Sequence, residues 1–203
     1  MDETLRGFHK HCIQRKLRRA EREGLTYEAG QSESLVLQFY RLLILTRKRL
    51  RLPPQPVAWF RNLIVCLGEK SKIHLAAKDG RPVASIVTLR HKGTLVYKYG
   101  ASDKSASRLG GMQLLLWRAI QEAKCDGFEE LDLGRSDWDQ AGLIAFKDHW
   151  GASRSVLNYW RYPALSSQSI VAGFGMRVAG HMFGLAPDGL ASAAGRFLYR
   201  HLG

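Results

Sequence analysis

Apolar side chains recur along this chain first at helical spacing, then at every second position, then at helical spacing again. Leu35, Phe39, Leu42, Leu43 and Thr46 follow a spacing of three to four behind a capping Ser34, with Arg41, Arg47, Lys48 and Arg51 on the wet side. This predicts a helix that Pro53, Pro54 and Pro56 end. A shorter helix is expected over Val57 to Leu67, with Trp59, Phe60, Leu63 and Leu67 on one face. The period then falls to two. Lys72 to Lys78, Pro82 to Leu89 and Thr94 to Tyr99 read as three strands, joined at Asp79-Gly80 and at His91-Lys92-Gly93, and so as an antiparallel meander.

Beyond Gly100, Met112, Leu115, Leu116, Ala119, Ile120 and Ala123 restore the helical period until Gly127. Glu130 to Leu133 then reads as a buried strand, Ala141 to Trp150 as a short helix, and Ser155 to Tyr162 as a strand with alternate aromatic residues. Three strands followed by helix, strand, helix and strand imply an α+β (mixed α/β) fold, whose mixed sheet is flanked by helices and contains at least one parallel crossover. From Pro163 the chain is rich in Gly and Ala, and two short amphipathic helices separated by Pro187 are expected there.

A length of 203 residues with 45% hydrophobic and 24% charged positions suits a globular chain and excludes disorder, collagen and a small disulfide scaffold. The 31 Lys and Arg outnumber 18 Asp and Glu, giving +13, which suits nucleic acid, acidic lipid or a phosphate-bearing substrate. Met1 to Arg51 holds 12 Lys or Arg against 6 Asp or Glu, densest in a basic helix from Arg15 to Arg22 that Gly24 ends. The expected segments are basic N-terminal helices over 1–56, a central domain over 57–163 and a tail over 164–203. Cys12, Cys66 and Cys125 form no C-x-x-C pair, and their odd number points to a reduced, cytoplasmic setting. His9, His11 and Cys12 cluster near the start without a second ligand set at zinc spacing, so a solvated turn and no metal are expected. The start of the chain does not read as a secretory signal. Ile170 to Ala186, interrupted by Arg177 and His181, falls short of the ~20 apolar residues of a spanning helix. The tail is expected to fold back on the domain, to bind a partner, or to make peripheral contact with the inner face of a membrane through Arg177, Arg196 and Arg200.

The densest polar cluster is LDLGRSDWD, from Leu131 to Asp139, followed by GLIAFKDHWGA from Gly142 to Ala152. Asp132 lies in an otherwise apolar strand, and a buried carboxylate needs a partner such as Arg135 or backbone N–H groups. Arg135, Ser136 and Asp137 follow the Gly134 turn at the C-terminal end of a strand, where mixed sheets carry binding groups. Lys147 stands among Leu143, Ile144, Phe146 and Trp150, and serves either an anionic substrate or oxyanion, or merely reaches past its neighbours to solvent.

These two segments, with RKLRRAEREGLTY, FYRLLILTRKRLRLPPQP, LLLWRAIQEAKCDGFEELDLGRS and LNYWRYP, resemble the C-terminal half of Fem-type peptidyltransferases and of related exopolysaccharide-biosynthesis acetyltransferases, within the GNAT superfamily. The resemblance covers about His9 to Pro163 and implies a GNAT-like sheet and transfer of an acyl or aminoacyl group to an amine or hydroxyl of a cell-envelope or polysaccharide precursor. It implies acyl-CoA or aminoacyl-tRNA as donor, and hence tRNA as a partner. It also implies a second GNAT-like half or a homodimer, because members usually carry two halves. By the resemblance, Lys147 matches the FK lysine of the motif, and Asp132 and Gly134 match its D-x-G turn. Lys147 and Asp132 are the catalytic candidates, with Asp137 and Asp139 as other proton acceptors. Arg135, Ser136, Asp137, Tyr99 and Trp150 are substrate-binding candidates. Acyl-CoA enzymes of the superfamily hold pyrophosphate on a Q/R-x-x-G-x-G/A loop before a helix. Arg108, Gly110 and Gly111 lie in such a loop, with Gln113 where Gly or Ala belongs. The absence of a Ser, His and Asp arrangement disfavours a covalent hydrolase. From another class, a GNAT-like RNA-binding or assembly module without catalysis would use the same basic helix.

Overall fold

The computed structural model describes residues 2–160, and the expected tail helices lie outside them. Helix α1 (Asp2–Gly7) and a π-helical turn (Lys10–Gln14) lead into α2 (Arg15–Arg22), β1 (Thr26–Gly30) and the long α3 (Glu33–Arg49). Helix α4 (Val57–Leu67) precedes the meander β2 (Ser71–Lys78), β3 (Arg81–His91) and β4 (Thr94–Ser102). Then come α5 (Gly111–Cys125), β5 (Glu130–Asp132) and α6 (Ala141–Asp148). The tight β2–β3 turn is made by Asp79 and Gly80, both at positive φ.

Among the described residues the five strands run in the order β1-β2-β3-β4-β5, antiparallel except for the β4/β5 pair, which is parallel across the α5 connection. The sheet separates two apolar clusters. Ile13, Leu17, Ile86, Leu95, Leu115, Leu116 and Trp117 fill the face covered by α2 and α5, and Leu35, Phe39, Leu43, Phe60, Ile73 and Val87 fill the face covered by α3 and α4. Along β4, Val87 of β3 pairs with Tyr99 and Thr88 with Tyr97, so Lys98 is the extra residue of a β-bulge. Tyr97 therefore packs with the α5-side cluster, although Tyr99, two residues on, packs with the α3/α4-side cluster.

A polar seam crosses the α5 side. Tyr27 Oη donates to Glu122 Oε1 at 2.6 Å and lies 2.7 Å from His74 Nδ1, while His74 Nε2 lies 2.9 Å from Thr88 Oγ1. With its one proton on Glu122, Tyr27 accepts from His74 Nδ1–H, and Nε2 accepts from Thr88, so the imidazole is neutral and satisfied on both sides. Burial pushes the His74 pKa down to about 4.

Two expectations need correction. Strand β5 is not buried, since Glu130 and Asp132 are exposed and only Leu131 is half-buried. It pairs with β4 over three residues and has no second partner strand among the described residues. Residues 155–160 form no strand, and residues 161–162 lie outside the description. The cluster at His9, His11 and Cys12 lies on the expected solvated turn, here π-helical, with both histidines exposed and Cys12 half-buried. Strand β1, which the periodicity did not reveal, pairs Tyr27 with Ala76 and brings the N-terminal segment into the sheet.

By contact density, residues 2–46 and 57–152 form one compact unit, and residues 47–56 and 153–160 belong to a second. Within the second, Leu52 N–H closes the end of α3 on the Arg47 carbonyl at 2.9 Å, and Val156, Leu157, Tyr159 and Trp160 are exposed. No helix among the described residues is long and apolar enough to cross a membrane.

Candidate active site

Strand β5 pairs with β4 only from Thr94 to Val96 and ends at Asp132; past this parting of the ladder β4 runs on through the bulge at Lys98 without a β5 partner. Gly134 stands beside the parting. Its φ is +72°, which favours glycine, and a Cβ there would make only an ordinary contact, 3.6 Å, with the Tyr97 carbonyl oxygen. Asp132 Oδ1 accepts the Gly134 N–H at 2.6 Å, and Lys147 Nζ donates to the Gly134 carbonyl. The LDLGRS and FKDHWGA segments thus converge on one residue. Burial lowers the Lys147 pKa, and the Asp132 carboxylate partly offsets that. Asp132 is exposed at the strand edge, so the partner its charge needs is a backbone N–H together with a nearby ammonium, not Arg135.

Arg135 Nε instead lies 3.4 Å from Asp137 Oδ1, and both side chains are about half exposed. Asp137 is also tied to Gln140, whose Oε1 accepts its N–H and whose Nε2 donates to its carboxylate, each at 3.3 Å. Ser136 Oγ is buried without a hydrogen-bond partner among the described residues, and Asp139 is exposed. Trp150 is 5% exposed and packs against Phe8 at 4.9 Å and Phe146 at 6.5 Å between ring centroids. Its contribution is therefore to packing. Tyr99 stands on the other face from Tyr97, between Phe39 and Phe60, and its hydroxyl accepts from Trp59 Nε1 at 3.1 Å. It is not grouped with Lys147.

The first turn of α5 borders one cavity, and Ser107 and Arg108 just before it border a second. The first, about 190 Å³, is lined by Ser102, Asp103, Gly111, Met112, Gln113 and Phe146, among others. Asp103 is already engaged there, with Oδ1 accepting from the Ser105 N–H at 2.9 Å and Oδ2 lying 3.3 Å from Arg81 Nη2. Gln113 is 7% exposed, so the side chain at the position where Gly or Ala belongs narrows the space. The second cavity, about 330 Å³, is lined by His11, Arg15, Lys16, Arg19, Ser107 and Arg108. Gly110, at φ +83°, joins the two, and a Cβ there would overlap the Lys16 carbonyl oxygen. A Cβ on Gly111 would lie 3.0 Å from Ala84 Cβ. Packing of α5 against α2 thus demands glycine at 110, and packing against β3 is tight at 111, while no side chain caps the start of α5.

Arg108 and Gly111 therefore reach cavities, whereas Gly110 supports the backbone between them. Sequence reasoning missed Lys16, which lines both cavities, and Phe146, which lines the first. Their signals were present, as the basic run and as the FK pair, but the contacts join segments far apart in the chain.

Several solved structures share this fold. FemX superimposes with a TM-score of 0.68 at 17% identity over 74% of this chain, which spans 55% of the FemX chain. An aminoglycoside acetyltransferase, meta-AAC0020, from an uncultured soil metagenomic sample in complex with sisomicin gives 0.55 at 16% identity, over 69% of this chain and 97% of that one. Aminoglycoside N-acetyltransferase AAC(6')-Iy in complex with CoA gives 0.56 at 11% identity, covering 69% and 95%. No curated protein sequence matches significantly. The family described as acetyltransferase (GNAT) domain matches residues 8–148, which include α2, the whole sheet and α6, and the chain belongs to that family.

Proposed function

We propose that this chain transfers an acyl or aminoacyl group from a phosphate-bearing donor to an amine or hydroxyl of a cell-envelope or polysaccharide precursor, in the manner of Fem-type enzymes. The observation that carries the reading is a basic cleft formed by α2 and by Ser107 and Arg108, just before the start of α5, which no side chain caps. Phosphates of acyl-CoA or of aminoacyl-tRNA suit Arg15, Lys16, Arg19 and Arg108 better than the first cavity, where Asp103 and Gln113 stand. The thioester or ester end of the donor would supply the activated acyl carbon; the residues of this chain bind, orient and polarise it.

Acyl transfer needs a neutral nucleophile, donors for the oxyanion and a proton acceptor. The backbone N–H groups of β4 past Val96, which have no partner strand on the β5 side among the described residues, are the first set of donors. The Lys147 ammonium has three N–H groups and uses one on Gly134, which leaves two for the oxyanion. Asp132 uses Oδ1 on Gly134, and Oδ2 takes the proton released by the acceptor; the acyl–sulfur or acyl–oxygen bond of the donor then breaks, and the thiol of CoA or the terminal ribose hydroxyl of tRNA leaves with that proton. Arg135, Ser136 and Asp137, on the turn after β5, border the acceptor. The FemX likeness favours an aminoacyl donor, and the likeness to the CoA complex favours acyl-CoA.

The test is a turnover assay with acyl-CoA and with aminoacyl-tRNA against a panel of amine and hydroxyl acceptors. Turnover that Lys147→Ala removes supports the reading. Turnover indifferent to Lys147→Ala overturns the site, and salt-sensitive RNA binding with no turnover from either donor favours the binding module instead.

A further inference from the structure

The π-helical turn before α2 and the end of α6 bring together three ligands that the sequence separates. His9, Cys12 and His149 each place a ligand atom within 4.8 Å of the other two. The two segments are already joined, because His9 N–H donates to the His149 carbonyl at 3.0 Å and Phe8 packs on Trp150. The His9 and His149 rings lie 4.6 Å apart. His9 Nδ1 accepts the Cys12 N–H at 3.2 Å, so its lone pair faces the turn that carries the thiol. None of the three cysteines is in a disulfide.

We propose that His9, Cys12 and His149 form a binding site for a thiophilic divalent cation, with zinc as the best match. Two imidazoles and one thiolate suit zinc by ligand softness, and water takes the fourth position. With bonds of about 2.0–2.3 Å, ligand atoms of a tetrahedral zinc site stand about 3.3–3.8 Å apart. Closing from 4.8 Å requires a movement of about 1 Å, within reach of the exposed His9 ring as its lone pair leaves the Cys12 N–H for the ion. Binding converts the Cys12 thiol to thiolate and releases one proton to solvent. The ion then clasps α6, which carries Phe146 and Lys147, to the turn leading into α2, which carries Lys16. This site stands independently of the transferase reading.

The experiment uses the full reduced chain, stripped with chelator and titrated with Co²⁺ and then Zn²⁺. One equivalent of Co²⁺ should produce a thiolate-to-cobalt charge-transfer band with tetrahedral d–d bands, which Zn²⁺ removes. The Cys66→Ser/Cys125→Ser variant should keep the band and Cys12→Ser should lose it. His149→Gln, which removes a direct ligand, should weaken affinity by more than the about 10–100-fold typical of a second-shell change. A measurement on the unmutated chain guards against misfolded variants: one equivalent of Zn²⁺ should protect Cys12 from alkylation while the exposed Cys66 and Cys125 still react. No band, a band that depends on Cys66 or Cys125, unprotected Cys12, or unchanged affinity in His149→Gln would each overturn the proposal.

Discussion

Lys147 Nζ donates to the Gly134 carbonyl, while Asp132, two residues before that glycine, accepts its N–H. A cation on one segment and a carboxylate on another therefore fix the same turn beside the parting of β4 and β5. Lys147→Met should lower acyl transfer about 10²–10³-fold in kcat, the range for losing one oxyanion donor. Lys147→Arg, which keeps the charge but not the geometry, should recover only part. Steady-state kinetics with saturating donor separate the two.

Gly110 and Gly127 both have positive φ, but only Gly110 lies against backbone, that of Lys16. Gly127→Ala should cost about 1–2 kcal/mol from backbone strain. Gly110→Ala adds displacement of α2 and should lower the melting temperature further. Thermal unfolding of the two variants side by side checks the difference.

Stability should fall with acid through His74. The free imidazole titrates near 6.5 and the folded one near 4, so between those values the unfolded chain binds the extra proton. The contribution is complete above pH 6.5 and lost as pH falls toward 4, by about 3 kcal/mol. Glu122 acts in the same sense: burial raises its pKa, but hydrogen bonds from Tyr27 and Lys72 outweigh that and hold it below its ordinary value. Urea unfolding at pH 7 and pH 4.5 should show the loss, and His74→Gln should flatten the slope.

Much of this architecture was legible, and the exceptions share a cause. Helices α3, α4 and α5 and the three-strand meander announce themselves by period, because each buries one face against the sheet. Strand β1 does not, since TYEAG is short and carries a Glu and a Gly. Nor does the exposure of β5, whose apolar residues read as buried although it stands at an edge. Asp132, Gly134 and Lys147 were legible as motif residues. Lys16 was not, because its place beside Gly110 depends on how α2 packs on α5, and His149 gave no hint of meeting His9.

The basic cleft should act on donor binding more than on chemistry. Arg15→Ala with Arg108→Ala should raise the donor KM about tenfold, equivalent to about 1.4 kcal/mol, with kcat little changed. Raising the salt should shrink the difference, since exposed charges are screened.

The bulge at Lys98 works as a parity switch in the sheet. Side chains two apart normally share a face, yet Leu95 and Tyr97 point to the α5 side and Tyr99 and Ala101 to the α3/α4 side. One inserted residue thus moves the odd-numbered series of β4 from the α5 side to the α3/α4 side between Tyr97 and Tyr99. Deleting that one residue would exchange inside for outside from Tyr99 to Ser102, a frame error in three dimensions that leaves every other codon intact.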